Sequence, residues 1–155
     1  MTTVALRNRT LGAATLALSL LFSACGDDPL SPEMEILEEL SGVWTATSFL
    51  VAPVSDPTNS TDLIVLGGTL QMNVSTDGEI VTTVSDPGST DQSVDVGTLT
   101  VLSATELQIQ TSPTSPSVQY TFSLAGNRLE LSGRAPIQLG TDPAVDSNIT
   151  AVLVR

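Results

Sequence analysis

Ser117-Val-Gln-Tyr-Thr-Phe-Ser-Leu-Ala-Gly-Asn-Arg-Leu-Glu-Leu-Ser132 is the stretch whose reading decides the fold class. Val118, Tyr120, Phe122 and Leu124 fall on alternate positions, with Gln119, Thr121 and Ser123 between them. In an extended chain side chains alternate between faces, so this segment has one apolar and one wet face. Ala125-Gly126-Asn127 is turn chemistry, and Arg128 to Ser132 resumes the alternation with Leu129 and Leu131. The segment reads as a β-hairpin that buries one side.

The same pattern repeats outward in both directions. Gly68 to Ser75 and Glu79 to Ser85 flank Thr76-Asp77-Gly78, with Leu70, Met72 and Val74 answered by Ile80, Thr82 and Val84. Val94 to Leu102 and Glu106 to Thr111 flank Ser103-Ala104-Thr105. A first strand is expected over Gly42 to Val51, with Trp44, Ala46, Ser48 and Leu50 on one face, and a last one over Asn148 to Val154. Asp62 to Leu66 is either an extra short strand or the start of the next. Eight strands in meander order predict an all-β domain over residues 33–155. Eight is the number at which an antiparallel up-and-down sheet closes into a small barrel, which also removes exposed strand edges. A β-sandwich is the alternative.

Before the first strand, Ser31-Pro32-Glu33 has the signature of a helix start: a hydroxyl N-cap, proline at the first position and acids near the positive end. Met34, Leu37 and Leu40, with Ile36, form its apolar stripe, and Ser41-Gly42 ends it. The run Leu40-Ser41-Gly42-Val43-Trp44 after a short helix resembles lipocalin-like domains, as does the hairpin from Tyr120 to Leu131. The resemblance covers roughly residues 33–155. It implies that Gly42 and Trp44 form the family's Gly-x-Trp, with Trp44 closing the base of the barrel. It also implies a late arginine over that Trp, for which Arg134 and Arg155 are the candidates. The family's Thr-Asp-Tyr signature is absent, which favours the short domains of bacterial lipoproteins over the larger ligand carriers. Leu70, Met72, Tyr120 and Phe122 are the candidate ligand-facing residues.

The N terminus has the parts of an export signal. Arg7 and Arg9 precede Leu11 to Phe22, twelve uncharged residues, too few for a membrane span of ~20. Ser23-Ala24 then leads to Cys25-Gly26. Leu21-Phe22-Ser23-Ala24-Cys25 resembles the lipobox of bacterial lipoproteins, with Phe22 where leucine is usual. That resemblance implies cleavage after residue 24, diacylglycerol on the Cys25 sulfur and an acyl chain, such as palmitate, on its amine. Residues 25–32 are then a lipidated tether. Gly26 in place of an aspartate implies the outer membrane of the cell envelope. Two or three acyl chains anchor stably where one does not.

Composition bounds the chemistry. After removal of 24 residues, Arg128, Arg134 and Arg155 face 17 acidic residues, with no lysine, for a formal charge of −14. Nucleic-acid binding, which needs cations to displace phosphate counterions, is excluded, and attraction to anionic lipid is disfavoured. The chain has no histidine, and its single cysteine is assigned to the anchor, which removes the usual general base, thiol nucleophile and disulfide. No catalytic residue, cofactor or metal site is assigned. Asp86-Pro87-Gly88-Ser89-Thr90-Asp91 lacks EF-hand spacing and reads as a turn. Asp95 and Glu106, on adjacent strands, are the one pair that would serve a carboxylate hydrolase if they converged. The expected protein is therefore a membrane-anchored, non-enzymatic, lipocalin-like barrel that binds a small apolar ligand. The alternative is a solid barrel acting on an envelope protein as an interaction or inhibitor module.

Overall fold

The computed structural model describes residues 31–138 and 143–155. The expected signal peptide, Cys25 and the tether up to residue 30 lie outside the described residues, as do residues 139–142. The described chain is a helix, α1 (Pro32–Leu40), followed by β1 (Gly42–Pro53), β2 (Thr61–Asp62), β3 (Thr69–Val74), β4 (Glu79–Ser85), β5 (Ser93–Ser103), β6 (Glu106–Gln110), β7 (Val118–Ala125), β8 (Arg128–Ile137) and β9 (Val145–Val154). From β3 onward each strand pairs antiparallel with the next, β3 pairs with β1, and β9 returns to pair with β1. Eight strands thus close an up-and-down barrel, and the sandwich does not form.

The helix and the Gly42 end of β1 define the base. The Ser31 hydroxyl caps the Met34 amide at 3.4 Å, and the Ser41 amide closes the last turn on the Glu38 carbonyl at 3.2 Å. Leu40 is fully buried and Leu37 packs on the core beside it. Met34, expected on the apolar stripe, is instead exposed. The first turn of the helix is exposed, and the part from Ile36 to Leu40 meets the barrel.

Three strand expectations change. In β1 the alternation is broken at Thr47: Ala46 is opposite Leu153 and Ser48 opposite Val152, so Thr47 is an extra residue, a β-bulge. Its hydroxyl donates to the Val152 carbonyl at 3.2 Å. Beyond it the faces are exchanged: Phe49 and Val51 turn inward, and Leu50, expected inside, faces solvent. The stretch Asp62 to Leu66 supplies only the end of the two-residue β2, which takes the edge of β1 at Leu50 and Val51 where β3 has left it. Turns follow to Gly67. The last two strands are longer than expected. β8, expected to end at Ser132, runs on through Gly133 and Pro136 to Ile137, and the Arg134 side chain forms an ion pair with Asp146 on β9.

The lower half of the barrel is solid. Leu40, Trp44, Ile80, Leu107, Leu129 and Leu153 are each at most 1 % exposed. Trp44 is fixed in two ways. Its indole N–H donates to the Leu40 carbonyl at 2.7 Å, and the Arg155 guanidinium lies 4.7 Å from the ring centroid. Arg155 also donates to the carbonyls of Glu39 (2.9 Å) and Ser41 (3.0 Å). Of the two late arginines, Arg155 is the one over the Trp; Arg134 is at the other end with Asp146. The C-terminal residue thus satisfies helix carbonyls that would otherwise lack partners.

Arg155→Ala is expected to lose about 1–3 kcal/mol of stability, from a cation–π contact and two charge-assisted hydrogen bonds. Arg155→Lys should recover part of it, because a point ammonium cannot stack and fork at once. Urea unfolding followed by emission of the single tryptophan measures both. An Arg155→Ala midpoint equal to wild type would refute this role.

Candidate functional site

The upper half of the barrel, away from the helix, is not filled. A chamber of about 180 Å3 lies between β1, β3, β4, β7, β8 and β9, and reaches the surface beside β5 and β6. Its floor is Ile80 and Leu153, the last inward layer of the solid base. Leu70 and Met72 from β3 form one wall, and Leu131, Ile149 and Ala151 the facing one. Two inward positions on the far wall are small. Ala151 is buried but short, and Gly133 has no side chain.

Gly133 positions the one tyrosine. It is directly opposite Tyr120, and a Cβ built on it would fall 2.5 Å from the tyrosine ring and 2.9 Å from the Gln119 carbonyl. The ring therefore lies flat over the β8 backbone and lines the chamber. Burial pushes the Tyr120 hydroxyl above its ordinary pKa near 10, so it stays protonated across the physiological range. That hydroxyl makes no hydrogen bond to the described residues, and is an open donor and acceptor at the cavity wall.

Of the four candidate ligand-facing residues, Leu70, Met72 and Tyr120 line the chamber. Phe122 points inward as well but packs in the core one layer nearer the base, opposite Leu131. Gly42 and Trp44 are at the base, away from the chamber, in a purely structural setting. Phe49, which the period-two reading of β1 placed outside, is a chamber residue because of the bulge at Thr47. No sequence signal marks that bulge.

The polar groups at the mouth are Thr82, Thr111 and Asp95, with Asp95 directly opposite Thr82. Asp95 does not meet Glu106. Glu106 is opposite Ser103, eight positions along β5 from Asp95, so about 26 Å separates the two at strand rise. One is at the mouth and one at the base, and this pair cannot act as a hydrolase dyad. Among the described residues, no three His, Cys, Asp or Glu side chains are grouped to hold a metal. The Asp86 turn is closed by its own backbone, with the Ser89 amide on the Asp86 carbonyl at 3.0 Å.

A second acid, Asp62 beside β1, is structural. Asp62 gathers the Ser48 hydroxyl (2.7 Å) and the amides of Phe49 (3.1 Å), Ile64 (3.0 Å) and Val65 (3.4 Å). It ties the turn after β2 to β1 just past the bulge, which orients Phe49. Desolvation pushes its carboxyl up, but the four hydrogen bonds outweigh that, and the net pKa lies below the usual range.

A comparison with known protein families and with curated protein sequences finds no match.

Two outcomes test this geometry. Gly133→Ala should displace the Tyr120 ring and destabilise the barrel by about 1–3 kcal/mol, as overpacking does; unchanged tyrosine side-chain NMR shifts would contradict it. Asp62 is depressed in the folded state, so its contribution is fully present above its unfolded pKa of about 3.9 and is lost as pH falls through the folded value. The Tm gap between wild type and Asp62→Asn should therefore be constant near neutrality and close below about pH 4. A gap that does not narrow at all as pH falls below 4 would refute the assignment.

Proposed function

We propose that this protein is a non-enzymatic, lipocalin-like binding protein that holds a small apolar molecule, or the apolar end of a larger one, in the upper half of its barrel. The observation that carries this reading is the 180 Å3 chamber with apolar walls, open at one end and set on a solid floor. A dry cavity of about 150 Å3 lined by Leu, Ile and Phe is enough to take benzene, so a body of roughly six to ten non-hydrogen atoms fits. Typical drug-sized sites are larger, at ~300 Å3 and above, so bulky carriers' cargo such as a whole lipid is excluded from full enclosure. The missing histidine and the separation of Asp95 from Glu106 support binding over hydrolysis.

In this reading the barrel is held at the cell envelope, at the outer membrane, by acyl chains on Cys25. The lipobox resemblance supports that anchor, and so does the domain's charge, which offers anionic lipid no attraction. No helix among the described residues is long and apolar enough to cross a membrane.

Binding of small aromatic and aliphatic probes, followed by NMR shifts of the Leu70, Met72 and Ala151 methyls, tests the chamber. Ala151→Leu should keep the fold and abolish the shifts by filling the space, whereas Leu70→Ala should admit larger probes. Probes that shift only surface residues, or bind Ala151→Leu as well as wild type, would end this reading. For the anchor, an alkyne fatty acid fed to expressing bacteria should label wild type and not Cys25→Ala. Label on both, or on neither, would remove it.

A further inference from the structure

The chamber's mouth has a chemical bias that its walls lack. Asp95, Gly97 and Leu99 share one face of β5, and Leu99 is buried, so that face looks into the barrel. Gly97 between them has no side chain because the backbone of Gln110 and Thr111 packs directly against it. Asp95 is the one ionisable acid lining the chamber, and no arginine lines it. Its carboxylate makes no hydrogen bond or ion pair with the described residues, whereas the outward arginines are engaged elsewhere: Arg128 with Glu130, Arg134 with Asp146, and Arg155 at the base. Thr82 and Thr111 supply neutral hydrogen-bonding groups around the same opening, and Tyr120 lines the chamber wall. The whole chain carries a formal charge of −12.

From this arrangement we propose that the chamber selects a small apolar monoamine, with its hydrocarbon or aromatic body inside and its ammonium at Asp95. The inference rests on the ligand-binding reading above and names the class of ligand. A carboxylate such as a short fatty acid would place a second negative charge beside Asp95, with no cation to compensate, inside an already acidic field. A neutral alcohol keeps the burial of the body and a hydrogen bond but gains no charge pairing. The order of affinity is amine, alcohol, carboxylate. Asp95 is exposed to solvent at the rim, so its effect is modest and screened by salt: about three- to fivefold between amine and alcohol.

The test uses 2-phenylethylamine, 2-phenylethanol and phenylacetate, which share one body and differ in head group, titrated against the full chain at low salt. Wild type should bind the amine about three- to fivefold more tightly than the alcohol, and phenylacetate weakest. Asp95→Asn should reduce the amine to the alcohol's affinity without changing the alcohol's. Glu106→Gln, the same loss of charge at the base, should leave the amine preference intact, which separates a local contact from general acidity. An amine bound no better than the alcohol, or a preference that survives Asp95→Asn, overturns the proposal while leaving the apolar chamber in place. If none of the three binds, the proposal and the binding reading fall together.

Discussion

The indole of Trp44 is the point on which the barrel is built. It is fully buried, donates to the Leu40 carbonyl and lies under the Arg155 guanidinium, so it joins the end of the helix, the first strand and the last residue of the chain. Residues more than a hundred positions apart are brought together there, and their meeting is what lets β9 pair with β1 along eight registered positions. Closure follows from that pairing. A sheet of this size left open would expose long edges on a domain with few charges on its strands other than acids. Arg155 does more than stack, since it also satisfies two carbonyls at the helix end.

Scarcity of aromatic residues explains why the barrel is solid below and hollow above. Only Trp44, Phe49, Tyr120 and Phe122 are aromatic after residue 24. Two of them, Trp44 and Phe122, pack in the lower layers. The upper layers must close a barrel of the same girth with Leu, Ile, Val, Ala and Gly, and those volumes fall short of filling it. Tyr120 and Phe49 border the space without filling it, since one lies flat on Gly133 and the other is held to the wall by the Asp62 cap. The cavity is thus a consequence of where the large side chains are used, and its polar groups other than the Tyr120 hydroxyl are at the rim.

The architecture was legible because period-two alternation and turn residues are local signals. The hairpins at Thr76-Asp77-Gly78 and Ala125-Gly126-Asn127 form where the residues indicate. Gly78 has φ +85, and a Cβ there would lie 2.7 Å from the Leu99 carbonyl, so the turn needs glycine twice over. What the residues did not reveal depends on long-range contacts. Thr47 bulges in the pairing of β1 with β9, and Leu50 beyond it faces solvent. Gly133 stays in a strand because the Tyr120 ring covers it. Asp95 and Glu106 are on neighbouring strands, yet the antiparallel register sends them to opposite ends. Arg155 could be named as a candidate for the Trp but not chosen over Arg134 until the chain had closed.

A hollow upper barrel is the claim on which the functional account stands. Crystals of the protein held under xenon pressure test it without assuming any ligand, because xenon enters dry apolar cavities of this size. The account predicts a xenon peak between Leu70, Ala151 and the Tyr120 ring, above the floor made by Ile80 and Leu153. An interior without that peak, with side chains closed across the space, would contradict it.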